Sequence, residues 1–387
     1  MKKQLLILLL SVLTLVSCSD ESNNSSGQKT GTLKGKVTTI NTHKAVGGAL
    51  VFAFDDEKNI YYAYSNAAGD FELNAPIGDR TLYIQTGDGS NFRTNINVVV
   101  QENQTQQLEE SSLRLDQVAR IAYVSGSYDS IEEIIASLGY ETESLTYAQL
   151  SDYSIVSQYD IIFLNCGSIA SSNSISNNPT ATTNLAQFVT NGGSLYASDW
   201  AIAYLIGGTN RTTACNASGG FIPDSTLCSL GNGSATTLNA LITNSALANA
   251  IGLTTLDIEY DLASWQKINS VDESFWEVLV RDSTTNEALM IKTNNFYDQS
   301  LAGSRVGNSQ NSDWITICHV PDENGSSPIT ITIEASALQD HLDHGDALGS
   351  CSAVGTSGTI YYTTFHNHAN QNIGNSQFIL EHVILNL

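Results

Sequence analysis

Hydrophobic and polar residues alternate with a period of two between residues 30 and 108. Short runs rich in Val, Ile, Tyr, Phe and Thr are separated by Gly, Asn and Asp. This pattern is typical of an all-β sandwich, because each strand buries one face and each turn uses residues that tolerate unusual backbone angles. The predicted strands are Thr32–Thr38, Ala49–Phe54, Ile60–Ser65, Asp70–Asn74, Thr81–Thr86 and Thr94–Val100.

The periodicity changes after a charged connector at residues 109–117. From residue 118 to residue 387, short apolar strands alternate with segments of helical spacing, which predicts a parallel α/β sheet. The predicted strands are Arg120–Ser125, Asp160–Asn165, Ser194–Ala197, Thr255–Tyr260, Trp276–Val280 and Ala288–Lys292. The predicted helices are Ser130–Leu138, Asn184–Thr190, Thr237–Ile251 and Ile373–Leu387.

A basic start and an apolar stretch precede the first cysteine. Two lysines come before Leu5–Val16, which is too short to span a bilayer stably, and Leu13–Cys18 reads Leu-Thr-Leu-Val-Ser-Cys. This run resembles the lipobox of bacterial lipoproteins, in which the cysteine is lipidated after cleavage. The resemblance implies a signal peptide at residues 1–17 and lipidation of Cys18. An ordinary secretory signal is the alternative.

The residues that follow this cysteine predict a tether and a location. Residues 18–29 are polar beyond the cysteine itself, so we expect a flexible tether. The acidic run Ser19-Asp20-Glu21 resembles the surface-export signal of some Gram-negative lipoproteins. That resemblance implies a protein anchored in the outer membrane by its lipid and facing the cell exterior.

Composition and charge narrow the choice of partners. The chain has 387 residues, of which 41% are hydrophobic, and a formal net charge of -23. The hydrophobic content is sufficient for more than one buried core. Because an acidic chain repels phosphate backbones, we expect no nucleic-acid partner, and cations are more natural ligands.

The cysteine count predicts disulfides and one odd thiol. Six cysteines are present, and the predicted lipidation site uses one of them, which leaves an odd number in an oxidising compartment. Cys215 and Cys228 bracket a stretch rich in Gly, Ser and Asn, which favours a local disulfide. Cys318 and Cys351 bracket a second insert and are the second predicted pair. Cys166 is then the free thiol.

A family resemblance lies in four segments of the first region, which are Gly35-Lys36-Val37, Gly48-Ala49-Leu50-Val51, Gly69-Asp70-Phe71-Glu72-Leu73 and Pro76-Ile77-Gly78. They resemble the carboxypeptidase regulatory-like domain, a transthyretin-type sandwich, over residues 30–108. Domains of this family are commonly spacers or accessory modules, and some related sandwiches bind carbohydrate. The resemblance implies a glycan platform at Tyr61 and Tyr62. The alternative is that these tyrosines simply pack within a strand.

A second resemblance lies in residues 118–387 and is carried by Tyr159–Leu164, Gly192–Ala201 and Gly358–His368. These segments resemble the class I glutamine amidotransferase-like superfamily, whose members have flavodoxin-like sheets. In active members, a sharp elbow after the Gly-Gly strand bears a nucleophilic cysteine, and a histidine near the C-terminus activates it. In this chain the elbow reads Ala197-Ser198-Asp199-Trp200 and holds no cysteine.

Several residues are candidates for chemistry at this predicted sheet. His366 keeps the position of the base, but the Pro-Glu that follows it in the family is missing. Ser198 and Asp199 are the candidates at the elbow, since acyl transfer needs a nucleophile with a base within hydrogen-bond reach. Cys166 ends a predicted strand, where open α/β sheets bind ligands, and is reactive if its pKa is lowered. The alternative is that this thiol is a small buried hydrophobe.

Residues 313–351 form a small Cys-His module inserted in the α/β region. The runs Ile317-Cys318-His319-Val320-Pro321 and His341-Leu342-Asp343-His344-Gly345-Asp346 resemble a module that recurs in bacterial secreted proteins. A helix over Ala335–His344 is predicted to end at the glycine and to carry two histidines on one face.

Two hypotheses describe this module. In the first, His319, His341 and His344 hold a divalent metal, with Asp346 or Cys318 as the fourth ligand. In the second, the two cysteines form a disulfide and the histidines make hydrogen bonds within a tiny core, because small extracellular modules need a covalent staple. A disulfide combined with a histidine-only metal site satisfies both.

The sequence therefore favours a membrane-anchored surface lipoprotein, with a non-catalytic α/β domain that binds a ligand or partner and a sandwich that acts as a spacer. One alternative is a hydrolase or amidotransferase-like enzyme that uses His366 with Cys166, Ser198 or Asp199. Another is a carbohydrate-binding protein. The distance from His366 to the other three side chains discriminates the enzyme from the binding protein.

Overall fold

The computed structural model describes residues 29–167, 178–206, 220–227, 229–303, 313–320, 327–351, 357–367 and 376–387. The predicted signal peptide, Cys18, most of the tether and the predicted Cys215–Cys228 pair lie outside these residues. Within the described ranges, no helix is both long and apolar enough to cross a membrane. The chain is built mostly of β-sheets, with a few helices.

Nine strands form the N-terminal sandwich: β1 (Thr30–Lys36), β2 (Thr38–Thr39), β3 (Leu50–Phe54), β4 (Ile60–Tyr64), β5 (Asp70–Pro76), β6 (Gly78–Gln85), β7 (Phe92–Val100), β8 (Thr105–Gln107) and β9 (Arg114–Gln117). One sheet has the order β5-β1-β8 and the other β2-β9-β7-β6-β3-β4. Leu33 and Leu73 of the first sheet and Ile84 of the second share one core, because alternate residues of each strand point inward. Gly69 permits the turn before β5, since its φ is 82°.

The charged segment 109–117 is more than the connector that its composition predicts. Arg114–Gln117 is strand β9, which pairs with β7 and β2. Leu113 and Leu115 are fully buried in the sandwich core. The prediction of a connector was wrong for Arg114–Gln117, because charged residues alternate with the two buried leucines. This alternation with a period of two is typical of a strand, and the charged composition alone does not indicate it.

The other strands are β10 (Ile121–Val124), β11 (Glu143–Leu145), β12 (Ile161–Leu164), β13 (Ser194–Ser198), β14 (Ser229–Gly233), β15 (Thr236–Ile242), β16 (Thr255–Tyr260), β17 (Trp265–Ser270), β18 (Glu277–Asp282), β19 (Ala288–Thr293), β20 (Trp314–His319), β21 (Ile329–Glu334), β22 (Ala347–Leu348) and β23 (Ile360–Thr363). The α-helices are α1 (Ile131–Ser137), α2 (Tyr153–Val156), α3 (Pro179–Thr190), α4 (Ile202–Ile206), α5 (Ser245–Ile251), α6 (Leu338–His344) and α7 (Ser376–Asn386).

The main sheet of the α/β region is mixed rather than parallel throughout. Its nine strands have the order β11-β10-β12-β13-β23-β19-β18-β15-β16. The first five are parallel to one another, and β19, β18, β15 and β16 extend the sheet with antiparallel pairs. Helices α1 and α7 cover one face, and α3 covers the other. The predicted parallel sheet is thus present in only half of the sheet.

The predicted helix Thr237–Ile251 is wrong over its first half. Thr236–Ile242 is the strand β15, and only Ser245–Ile251 is helical. Asn244 caps that helix through the Leu247 N–H at 2.8 Å. A short run with apolar residues at every second position fits a strand as well as a helix, and pairing with β16 and β18 decides in favour of the strand.

The Cys-His module packs on the outer face of the sandwich. Strands β20, β21 and β22 form its sheet, and α6 ends at Gly345 with a φ of 110°. Ile317, Ile331 and Ile333 share an apolar cluster with Leu50, Phe52 and Tyr83 of the sandwich. The module is therefore inserted in the α/β region by sequence but rests on the sandwich.

The sandwich also packs directly against the α/β region. The Phe92 ring of β7 lies 4.7 Å from that of Tyr140 between centroids. Lys44 forms an ion pair of 2.8 Å with Glu381 of α7, and the Asn91 side chain donates to the carbonyl of Leu387 at 2.7 Å. A single apolar cluster extends across both regions. The sandwich is thus a packed partner of the α/β region, in contrast to a spacer joined only by a linker.

Candidate functional site

Three neighbouring parallel strands of the main sheet end at the same edge. Strand β12 leads into Cys166, β13 leads into Asp199, and β23 leads into His366. These strands are adjacent in the order β12-β13-β23 and run parallel. The carboxyl ends of such strands are where open α/β sheets bind ligands. The topology therefore brings together three residues that are far apart in sequence.

Asp199 occupies a strained position at the elbow. Its φ is 44°, in the left-handed region that non-glycine residues rarely adopt, and it is fully buried. Its Oδ1 accepts the Gln266 N–H at 2.6 Å, and its backbone carbonyl accepts the Tyr362 hydroxyl at 3.2 Å. These contacts hold a conformation that costs energy, which is a feature of functional sites in proteins.

The Asp199 carboxyl stands between the other two candidates. Its Oδ2 lies 3.5 Å from Cys166 Sγ and 3.6 Å from His366 Nδ1. All three side chains are buried, and their ligand atoms lie within 4.8 Å of one another. His366 thus lies no farther from Asp199 than one water molecule could bridge. The enzyme hypothesis, which required His366 to lie near one of the candidate side chains, is therefore not excluded by distance.

Burial dominates the acid–base properties of this cluster. It raises the pKa of Asp199 to about 8, although hydrogen bonds from Gln266 and Cys166 oppose the shift. It also raises the pKa of the Cys166 thiol far above its usual range, and the nearby Asp199 carboxylate adds to that effect. The lowered thiol pKa that nucleophilic attack requires is therefore not found.

Ser198 has its hydrogen-bonding partners away from His366. Its hydroxyl donates to Asp129 Oδ2 in a very short contact and accepts the Cys166 N–H at 3.0 Å. Asp129 is buried, and its Oδ1 accepts the Asn367 N–H at 3.0 Å. Burial raises the pKa of Asp129 to about 7, against the hydrogen bonds from Ser198 and Asn367. Ser198 therefore joins a structural network and does not pair with the imidazole.

Sequence reasoning missed Asp129, Gln266 and Tyr362. Asp129 was detectable, because it lies between the predicted strand β10 and the helix after it, at the same edge of the sheet. Gln266 and Tyr362 contact Asp199 through a backbone N–H and a phenol across long sequence separations. No local pattern marks such contacts. His368, next to the predicted base, lies outside the described residues.

The Cys-His module contains a second buried cluster. Asp346 Oδ2 lies 2.8 Å from His319 Nδ1 and 2.7 Å from His341 Nδ1, and its Oδ1 accepts the Val320 N–H. Burial opposes ionisation of Asp346, but its hydrogen bonds, above all with His319, still lower its pKa. Burial lowers the pKa of His341. The arrangement is a His-Asp-His network, held against Phe54 of the sandwich.

A disulfide joins Cys318 to Cys351. Cys318 is therefore unavailable as the thiolate ligand that one version of the metal hypothesis used. His319, His344 and Asp346 have ligand atoms within 4.8 Å of one another, whereas His341 faces Asp346. A divalent metal at His319, His341 and His344 stays a prediction, with Asp346 as the remaining candidate for a fourth ligand.

The tyrosines of β4 differ in exposure. Tyr61 is only 7% exposed and belongs to the sandwich core, so it does not contribute to a glycan platform. Tyr62 is 42% exposed and Tyr64 is 57% exposed, and their ring centroids lie 6.0 Å apart. The exposed pair is therefore Tyr62 and Tyr64, because side chains two apart on a strand share one face.

No family model and no curated protein matches this chain. Among solved structures, a candidate carbohydrate-binding protein from Bacteroides uniformis is 11% identical, covers 23% of this chain and has a TM-score of 0.18; 43% of that protein is covered. A candidate GMP synthase component from Thermoplasma acidophilum is 8% identical, over 70% of this chain and 95% of that one, with a TM-score of 0.35.

The 5-hydroxyisourate hydrolase of Klebsiella pneumoniae is 17% identical, over 22% of this chain and 97% of that one, with a TM-score of 0.17. The chain spans less than half the length of the carbohydrate-binding protein. These similarities are weak in both identity and superposition. They show no function for this chain.

The raised pKa of Asp129 predicts a pH-dependent stability. The folded chain keeps this proton up to about pH 7, whereas the unfolded chain releases it near the ordinary aspartate pKa of 3.8. The contribution to the free energy of unfolding is thus complete below pH 3.8 and lost as pH rises through about 7. We expect Asp129→Asn, which does not ionise, to gain stability relative to wild type as the pH rises from 3.8 to about 7, and to keep that gain at higher pH.

Urea denaturation of both proteins across this range measures the effect. The amide oxygen still accepts from Asn367, but the amide NH2 cannot accept from Ser198. That loss is independent of pH, so the pH dependence of the stability difference isolates the ionisation. A stability difference that stays constant with pH would contradict a buried, protonated Asp129.

Proposed function

We propose that this protein is a lipid-anchored, surface-exposed binding protein whose α/β domain does not carry out acyl transfer. One observation supports the absence of acyl transfer: the Ser198 hydroxyl donates to Asp129, and His366 faces the Asp199 carboxyl. Acyl transfer needs a hydroxyl or thiol nucleophile hydrogen bonded to its base. In this chain a carboxyl occupies the place beside the base.

The surroundings of Cys166 support the same proposal. Its side chain is fully buried, and its thiol donates to the Asp199 carboxyl at 3.5 Å. Reactive cysteines lie in electropositive and partly exposed surroundings, because the thiolate is the attacking species. A buried thiol that donates to a carboxyl is instead suited to a structural or ligand-holding role.

The anchoring part of the proposal depends on the N-terminal residues. The lipobox-like run up to Cys18 and the acidic residues after it support attachment to the outer membrane with the protein facing the exterior. The net charge of -23 favours cationic rather than anionic partners. Attachment by lipid would place the sandwich near the membrane.

We expect Cys18→Ser to release the protein from the membrane, because a serine side chain cannot take up the lipid. The measurement is metabolic labelling with a radioactive fatty acid, followed by separation of membrane and soluble fractions. Wild type should carry label and sediment with membranes. Label retained by Cys18→Ser would contradict anchoring at this residue.

Activity-based labelling tests the non-catalytic part. We expect a fluorophosphonate probe to leave Ser198 unlabelled in the native full-length protein, because this hydroxyl is bonded to Asp129. An iodoacetamide probe should label Cys166 only after denaturation in urea. Cys166→Ala is the matched control for the thiol signal. Native labelling of either residue that disappears in His366→Ala would overturn the proposal.

Carbohydrate binding is the second candidate function, and the exposed pair Tyr62 and Tyr64 favours it. Tyr64 lines an open groove of about 480 Å³ together with Lys34, Asp70 and Glu72. Glycan sites combine an apolar ring face with a small number of polar side chains that fix orientation. This edge of the sandwich offers both.

We expect the double variant Tyr62→Ala/Tyr64→Ala to lose at least about tenfold in affinity on a mixed glycan array, since each ring supplies stacking area. Val99→Ala is the matched control, because Val99 is 58% exposed on another strand of the sandwich. Silence of the wild type on the array, or equal binding by the double variant, would count against this candidate.

A further inference from the structure

We propose that Cys166, Asp199 and His366 form a binding site for a zinc-class divalent metal ion at the edge of the main sheet. This inference goes beyond the proposed binding function, because it assigns a ligand to the buried cluster itself. It is separate from the metal prediction for the Cys-His module.

Two of the three separations between the donor atoms fit a tetrahedral metal centre. Zinc binds thiolate sulfur at about 2.3 Å and imidazole nitrogen or carboxylate oxygen at about 2.0–2.2 Å, so neighbouring tetrahedral ligands lie about 3.3–3.6 Å apart. Cys166 Sγ is 3.5 Å from Asp199 Oδ2, and His366 Nδ1 is 3.6 Å from the same oxygen. Both distances match the ligand spacing.

A direct hydrogen bond explains only one of these distances, while His366 and Asp199 are close enough for an ion pair. The sulfur–oxygen separation of 3.5 Å is also that of a thiol donating to a carboxyl. The nitrogen–oxygen separation of 3.6 Å is longer than an N–H···O hydrogen bond, which is about 2.7–3.2 Å. A metal ion among the three atoms accounts for both separations together.

No fixed cation competes with a metal for these ligands. Asp129 and Asp199 are both buried, and neither has a lysine or arginine partner among the described residues. A divalent ion would displace the protons of the Asp199 carboxyl and the Cys166 thiol, and it would compensate the negative charge that the two ligands then carry in a low-dielectric interior.

The three donors are held in place before any ion binds. Each follows a different strand of the parallel set β12-β13-β23, which fixes their backbones relative to one another. The Gln266 N–H binds Asp199 Oδ1 and so orients Oδ2 toward the other two donors. Such outer contacts orient metal ligands and add to affinity.

The donor types select the metal. A thiolate and an imidazole suit zinc and its neighbours in the first transition row, whereas magnesium and calcium prefer oxygen ligands. Three protein ligands leave a fourth position for water or another small ligand. His366 also borders a cavity of about 10 Å³, which is room for one water.

Cobalt substitution tests the site, because only a cysteine thiolate gives a sulfur-to-cobalt charge-transfer band. The full-length protein is stripped with a chelator and titrated with Co²⁺. We expect one such band at one equivalent, displaced by Zn²⁺, and its loss in Cys166→Ala. Asp199→Asn should keep the band but bind the metal roughly tenfold or more weakly.

Two control variants locate the band. His341→Ala/His344→Ala removes donors of the module, and Cys215→Ser/Cys228→Ser removes the two cysteines that belong neither to the Cys318–Cys351 disulfide nor to the predicted lipidation site at Cys18. Both should retain the band. No band in wild type, or its loss in Cys215→Ser/Cys228→Ser, overturns the proposal even if Cys166→Ala does not fold. Failure of this test leaves the labelling results for Ser198 and Cys166 unaffected.

Discussion

The alignment of the parallel strands β12, β13 and β23 is the constraint on which the candidate site depends. Two glycines allow the loops around this site to approach each other closely. A Cβ atom at Gly126 would collide with the carbonyl oxygen of Cys166, and a Cβ atom at Gly358 would collide with the carbonyl oxygen of Gly193. Cys166, Asp199 and His366 meet only because their strands are adjacent and end together. The site is thus a product of topology and not of any local motif.

Much of the fold could be predicted where one periodicity is unambiguous. The wholly apolar β12 and the alternating β5 match their predicted spans to within two residues. The segment Thr237–Ile251 could not be divided from its pattern alone, since pairing with β16 and β18 decides it. The antiparallel half of the sheet was also missed, because short apolar runs do not indicate the direction of a strand.

The candidate site also combines features that the local sequence pattern indicates with features that only the tertiary structure determines. Cys166 and Asp199 could be proposed because each follows a predicted strand, and His366 could be proposed from the family resemblance of the segment Gly358–His368. The chemistry of these residues depends on contacts that no local sequence pattern indicates. Two examples are the hydrogen bond from Ser198 to Asp129 and the hydrogen bond from the Gln266 N–H to Asp199. Because of these contacts, Ser198 is hydrogen bonded to Asp129, and the Asp199 carboxyl lies beside Cys166 and His366. The Cys-His module likewise depends on the sandwich, where Phe54 packs against its histidines.

Together these features support the proposal that this edge of the sheet holds a ligand and does not attack a substrate. The most direct measurement is an anomalous difference map at the zinc absorption edge, from crystals of the full-length protein grown with zinc. We expect a peak about 2.0–2.3 Å from Cys166 Sγ, Asp199 Oδ2 and His366 Nδ1. A map without a peak among these three atoms would contradict the metal site, and Ser198 or Cys166 hydrogen bonded to His366 in the same crystals would also contradict the absence of a paired nucleophile.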